Sequence, residues 1–314
     1  MRLQDFTSSK TVIQSGLFLA QHAPPWMGHG LARSIGAAVA RSKPGIYWTV
    51  RANLRQIIGP DADDGVPSEW PFSKANGVLH DLARQVFCHV TQIYYDFFHA
   101  VNSPSETIIQ ALKVSTPLLE RIDAEMAKDR GVLLLGTHMS NFDMVILAMG
   151  AHNLPVQVLS LAAPQAGFDV LNRLRAERGL EVTPITPESL RAAIRRLKNG
   201  GIVLTGVDWP VPQDRELIEF FGRPAYLPLG PARLARMTDA MVIVGSCRYD
   251  PHGGNERRGG YVLDAEWPVE ITRTGDRRQD ALANTRRFAA IVEKHVRAHP
   301  EQWMMFHPFW PEPP

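Results

Sequence analysis

Four short aliphatic runs, "GVLLLGT", "PVQVLSL", "GIVLTGV" and "MVIVGS", recur between residues 131 and 246 with helix-patterned segments between them. Each run is too short for a buried helix and rich in β-favouring residues, so each reads as a strand. A strand that is apolar on both sides needs cover on both faces. Such strands alternating with helices specify an α/β fold around a mixed, largely parallel central sheet flanked by helices.

Residues 1–125 have a different texture and predict a mainly helical N-terminal region, packed on or anchoring the 126–314 α/β core in one compact domain. In "SKANGVLHDLARQVFCHVTQIYYDFFHA" the apolar positions Leu79, Leu82, Val86, Val90, Ile93 and Phe97 recur at helical spacing. The turn-rich "GPDADDGVPSEWP" separates this helix from the preceding "YWTVRANLRQII". The apolar stretch from Thr11 to Ala40 is interrupted at Pro24-Pro25 and predicts short amphipathic helices that cover the core or lie in a bilayer interface. No run reaches membrane-spanning length, and no signal-peptide pattern is evident.

Lys and Arg total 34 against 32 Asp and Glu, which removes any global polyanion-binding signature and with it a nucleic-acid partner. Arginine is nevertheless dense around residues 173–198 and 273–287, as on a solvated helix face or, less commonly, an anion-binding surface. Cys88 and Cys247 lack Cys-x-x-Cys spacing and read as reduced thiols. His295 and His299 stand four apart without the glutamate of a zinc motif, so no metal site is expected.

One helix is marked residue by residue. Thr186 suits the N-cap, Pro187 the first helical position and Glu188 the positive end of the dipole, and Asn199-Gly200-Gly201 stops it. The strand that follows ends at Asp208.

Ligands of open α/β sheets bind beyond the carboxyl ends of the strands. His138 and Asp208 both occupy such positions. After His138, Ser140 and Asn141 are candidate caps of a helix that begins near Asp143. An aspartate in the first turns of that helix can reach back to an imidazole in the preceding loop. With no adjacent serine or cysteine nucleophile, such a pair suits removal of a proton from a substrate hydroxyl. The chain has no Gly-x-Ser-x-Gly elbow, phosphate-binding loop or dinucleotide glycine pattern.

The strand–His-x4-Asp–helix arrangement resembles the first motif of the glycerolipid acyltransferase superfamily. The longer pattern is similar to the bacterial lipid A lauroyl/myristoyl acyltransferases, a branch that includes the mycobacterial phosphatidylinositol mannoside acyltransferases. Five ordered blocks carry the resemblance: "VRANLRQIIG", "GTHMSNFDMV", "NRLRAERG", the Phe220–Val244 stretch beginning "FFGRPAYLPLG", and "HPEQWMMFHPFWP".

The resemblance implies an O-acyltransferase that moves a fatty acyl group from an acyl-carrier-protein or coenzyme A thioester to a hydroxyl of a glycolipid or phospholipid. It needs no cofactor beyond that donor. His138 would be the base and Asp143 its orienting partner. Arg178 and Arg175 would bind phosphate or, alternatively, form a solvated helix face. Asp208 would contact the acceptor, support the site or cap a loop, and Asn141 joins the substrate-binding set. Phe220, Phe221 and Gly222 would shape a turn at the acyl pocket, although core packing also explains the two aromatics. The expected location is peripheral, on the cytoplasmic face of the inner membrane. The aspartate at 143, the absence of an evident N-terminal anchor and the non-basic "FHPFWP" ending point away from lipid A as acceptor. The alternatives are a lysophosphatidate or glycerol-phosphate acyltransferase, an acyl thioesterase, and a non-catalytic lipid-binding protein.

Overall fold

The computed structural model describes residues 20, 22–59, 77–160, 166–209, 214–252 and 259–310. The apolar stretch before residue 20 and the turn-rich segment from Pro60 to Pro71 lie outside the described residues. The N-terminal region contains α1 (Pro25–Arg41), α2 (Gly45–Ile58), α3 (Val78–Ala100), α4 (Ser105–Ala111) and α5 (Thr116–Met126), with a two-residue strand β1 (Leu112–Lys113) before α5. The α/β part follows as β2 (Val132–Gly136), α6 (Phe142–Ala151), β3 (Val156–Ser160), α7 (Ala166–Glu177), β4 (Glu181–Pro184), α8 (Pro187–Lys198) and β5 (Ile202–Gly206). A hairpin, β6 (Arg215–Phe220) and β7 (Arg223–Pro228), leads to α9 (Gly230–Met237), β8 (Met241–Asp250), β9 (Gly260–Glu266) and α10 (Arg277–Ala298). A short 3-10 turn, Pro300–Gln302, opens the C-terminal segment.

The fold is α/β. Seven strands form one sheet in the order β1-β9-β8-β2-β5-β3-β4, parallel throughout except for the antiparallel β8–β9 pair. The four aliphatic runs became β2, β3, β5 and the first half of β8, all in the middle of the sheet. Val132, Leu133, Val203, Ile243 and Val244 are almost wholly buried, as a sheet covered on both faces requires. The strands not expected from the sequence are edge or hairpin strands. β4 ("EVTP") carries no aliphatic run, and β1 lies inside the helical region. β9 ("GYVLDAE") is mostly half-buried and returns antiparallel to β8, with β1 on its other side.

Helix α8 begins as its sequence dictates. The Thr186 hydroxyl accepts from the Ser189 amide while the Ser189 hydroxyl accepts from the Thr186 amide, a reciprocal capping box. Gly200, at φ 77°, turns the chain into β5.

The strand register sets up everything at the carboxyl edge. Gly136 of β2 stands opposite Gly206 of β5 and Gly245 of β8. His138 and Asp208 each lie two residues beyond the paired glycines, so neighbouring parallel strands deliver them side by side. At the other end of β2, a Cβ on Gly131 would lie 2.2 Å from the Leu197 carbonyl oxygen of α8. Gly131→Ala is therefore expected to cost about 1–3 kcal/mol by overpacking, seen as a lowered urea midpoint. A wild-type midpoint would show that strand and helix separate freely here.

Candidate active site

His138 occupies the loop between β2 and α6, with its side chain 30 % exposed. Its Nδ1 lies 2.7 Å from Asp208 Oδ1. The His138 backbone amide also donates to both Asp208 oxygens, at 3.1 and 2.9 Å. Trp303 Nε1 supplies a further donor to Asp208 Oδ2 at 2.9 Å. Asp208 is 1 % exposed, and a carboxylate buried so deeply stays ionised only when its oxygens accept hydrogen bonds or face a cation. Burial raises its pKa, but the His138 charge and these donors outweigh that effect and hold it below its ordinary 3.8.

An ionised carboxylate only accepts, so the proton of the shared bond resides on His138 Nδ1 and the Nε2 lone pair is left for chemistry. Burial works to lower the imidazole pKa, but the Asp208 charge and hydrogen bond prevail and raise it above 6.5. Asp143 adds a smaller upward push, which Arg175 opposes.

The expected partner of His138 is thus corrected. The hydrogen-bonded carboxylate is Asp208, while Asp143 accepts from Arg175 Nε at 2.7 Å. Asp143 lies in the first turn of α6 and meets α7 across a nearly buried ion pair, with side-chain exposures of 12 % and 7 %. Arg175 also donates to Asn172 Oδ1 at 2.6 Å. Arg178 directs Nε to the Val101 carbonyl at 3.0 Å, and its Nη2 donates to the same oxygen. Both arginines expected to bind phosphate, or to line a solvated face, therefore use these donors to join helices within the protein.

Asn141 occupies the N-cap position of α6 but makes no capping bond. Its buried side chain points Nδ2 toward the Ile93 carbonyl at 3.5 Å. Phe220, Phe221 and Gly222 do form a turn, the tight β6–β7 hairpin, with Phe221 and Gly222 at φ 51° and 75°. Their rings belong to the core. Phe220 packs on Phe309 at 5.3 Å and on Trp303 at 6.2 Å between centroids.

The His138 loop is held from several directions. The Ser140 amide donates to the Gln302 carbonyl at 2.7 Å, and the Met304 amide to the His138 carbonyl at 2.9 Å. Gln302 exchanges side-chain bonds with the Tyr249 backbone at 2.7 and 3.1 Å. Thr137 donates to Ser246 at 2.9 Å, and His89 of α3 meets the Ser140 hydroxyl at 2.9 Å. Gly206 lies beside the imidazole: a Cβ there would stand 3.4 Å from His138 Cε1, in contact with the ring.

Several site residues had no sequence signal of their own. Trp303 stood only inside a block. Trp209 lies 5.2 Å from the His138 ring and Phe142 5.5 Å. Behind Trp209, at 4.1 Å, His307 buries both ring nitrogens without a hydrogen-bond partner among the described residues. Burial holds it neutral, with its pKa lowered to about 4. The adjacency of Trp209 to a strand-end aspartate is the one hint the chain offers.

No group of three or more metal-ligating side chains occurs among the described residues. Grooves of about 380 and 390 Å³ open at the amino ends of β2 and β8, beside Gly131 and Met241, away from His138.

A sequence profile described as bacterial lipid A biosynthesis acyltransferase matches residues 13–312. Phosphatidylinositol mannoside acyltransferases of Mycobacterium tuberculosis strains CDC 1551 and H37Rv are each 26 % identical over 196 residues. Those alignments cover 61 % of this chain and 58 % of the relatives, less than two thirds of their length. The enzyme of the same name from Mycolicibacterium smegmatis is 23 % identical over 291 residues, covering 90 % of this chain and 86 % of the relative.

Two outcomes are expected of the carboxylates. Asp208→Asn should move the His138 titration, followed by histidine NMR, from above 6.5 to below it, because burial is then opposed only by the smaller Asp143 charge, which Arg175 offsets. The sign for stability follows from the same shifts. The pair contributes fully between the unfolded values of 3.8 and 6.5; this is lost as pH rises through the raised His138 pKa or falls through the lowered Asp208 pKa. Asp143→Ala should leave the His138 titration above 6.5 but strand Arg175, costing about 3 kcal/mol in denaturant unfolding.

Proposed function

The chain belongs to the bacterial lipid A biosynthesis acyltransferase family, and from that premise we propose that it is an O-acyltransferase using His138 as general base. The donor is an acyl-carrier-protein or coenzyme A thioester, and the acceptor is a hydroxyl of a glycolipid or phospholipid. The observation that carries this reading is the 2.7 Å contact between His138 Nδ1 and the buried Asp208. It leaves Nε2 unprotonated on a side chain that is part open to solvent.

In the proposed reaction, Nε2 takes the acceptor hydroxyl proton as that oxygen attacks the thioester carbonyl. The tetrahedral intermediate collapses with cleavage of the carbon–sulfur bond, and the departing thiolate takes the proton from the imidazolium. The products are an ester and a free thiol, with no net change in protonation. Asp208 keeps the imidazole in one tautomer and stabilises the cation between the two proton transfers. Asp143 acts more remotely, holding α6 against α7 through Arg175.

The M. tuberculosis and M. smegmatis relatives bear the name of phosphatidylinositol mannoside acyltransferases. That supports a sugar-bearing phospholipid as the acceptor class. No helix among the described residues is long and apolar enough to cross a membrane; the location proposed, from the lipid acceptor class, is peripheral at the cytoplasmic face of the inner membrane.

Labelled acyl transfer to lipid acceptors tests the reading. His138→Ala should lose about 10²–10⁴ in rate, and wild-type kcat/KM should rise with pH through a midpoint above 6.5. Wild-type transfer by the alanine variant would overturn the mechanism. Thioester hydrolysis without acceptor that exceeds transfer in its presence would replace the function with that of a thioesterase.

A further inference from the structure

Helix α1 is built inside out. Its inward positions, repeating every fourth residue, are Gly28, Ala32, Gly36 and Ala40, all buried. A Cβ on Gly28 would lie 2.0 Å from the Tyr95 ring, and one on Gly36 would lie 2.4 Å from the Phe87 carbonyl oxygen. The two backbones are close enough for interhelical bonds. Thr91 Oγ1 donates to the Ala32 carbonyl at 2.7 Å, and Cys88 Sγ donates to that of Arg33 at 3.4 Å. No larger side chain fits between α1 and α3.

The large apolar residues of α1 face outward. Trp26 is 78 % exposed, Met27 44 %, Leu31 42 % and Ile35 47 %, and Trp48 on α2 is 52 % exposed. A helix facing water places its bulky residues inward and its polar ones outward. Small residues at a tight helix crossing with bulky apolar ones outside are the arrangement favoured where the outer medium is lipid.

The charge carried by α1 and α2 themselves has one sign, the carboxylate nearest α1 being Asp96 of α3, which His29 engages at 2.5 Å. Between Phe6 and Gly59 the sequence contains neither aspartate nor glutamate. Arg33, Arg41 and Lys43 are exposed on and after α1, and Lys43 Nζ stands 5.9 Å over the Trp48 ring. Exposed tryptophans beside cations suit the level of lipid headgroups, where the ring is half apolar and half wet. A second copy of the same face would bring these cations against their own equivalents, whereas lipid phosphates have the opposite sign.

We propose that the outer face of α1, with Trp48 of α2, seats in the interface of an anionic lipid bilayer. The helix lies in the membrane plane and does not span it. If the acyl-transfer reading holds, this is the surface across which a lipid acceptor arrives, and only that consequence rests on the reading.

The test needs neither donor nor acceptor, so its failure is separate from failure of the catalytic proposal. The full chain is sedimented with phosphatidylcholine vesicles, with or without about one-third phosphatidylglycerol. Wild type should bind the anionic vesicles, more weakly at high salt, and show little affinity for phosphatidylcholine alone. Leu31→Glu with Ile35→Glu, and separately Trp26→Ala with Trp48→Ala, should each weaken binding by about tenfold or more. All these side chains are exposed, so unchanged thermal unfolding is expected and verifies the fold. Wild type that ignores anionic vesicles, or both variants binding like wild type, would overturn the proposal. So would a dimer in light scattering that the glutamate pair splits into monomers, because the occupant would then be a second copy.

Discussion

A carboxylate removed from water has to be satisfied by neighbours it can hold in place, and Asp208 recruits three: the His138 ring, the His138 amide and the Trp303 indole. Stripping the ion of water costs several kcal/mol that only well-directed donors offset. These donors come from the end of β2 and from the C-terminal segment, which are far apart in sequence. Satisfying Asp208 therefore assembles the site: the His138 imidazole is oriented by the same bonds that make the buried charge tolerable.

The C-terminal segment is held in turn by the first helices. Asn53 of α2 donates to the Met305 and His307 carbonyls at 3.0 and 2.9 Å. Gln56 donates to the Phe221 carbonyl at 2.7 Å, and Trp310 to that of Phe220 at 3.2 Å. Most of the blocks that stood out in the sequence are thus bonded to one another, and their purpose becomes physical. "VRANLRQIIG" grips the tail, the tail supplies Trp303 and pins the His138 loop, and the "FFG" hairpin backs the aromatic cluster around Trp303. Block by block, the chain reads as parts of one clamp around Asp208.

The central strands, α8 with its caps, and His138 were legible because each is written in local pattern: aliphatic runs, a cap with proline after it, a polar residue at a strand end. The edge strands were not, since β4 and β1 owe their extended form to neighbours and not to their own side chains. The identity of the carboxylate partner was also hidden, because sequence proximity favours Asp143 whereas sheet register favours Asp208. A signal did exist in the two strands themselves. "LLLGTH" and "VLTGVD" can be aligned glycine to glycine, which puts histidine opposite aspartate, but only once the strands are known to be parallel neighbours. The arginines misled for a related reason. Neither a resembling block nor density of charge says which guanidinium turns inward, and Arg175 turns toward a carboxylate that the helix start had already placed.

What the Asp208 contact accomplishes can be judged against the other histidines of the same interior. His89, beside Ser140, and His307, behind Trp209, are both driven by burial to a pKa of about 4. His138 suffers the same desolvation, yet its pKa rises above 6.5, with the Asp208 charge and hydrogen bond as the main upward influences. An imidazole with a pKa near 4 has little driving force to take a hydroxyl proton, while one above 6.5 combines basicity with a substantial unprotonated fraction near neutral pH. The aromatic walls that would welcome an acyl chain are thus also what would ruin the proposed base. Placing Asp208 within hydrogen-bond reach of the histidine, by strand register, lets the two requirements coexist in one loop.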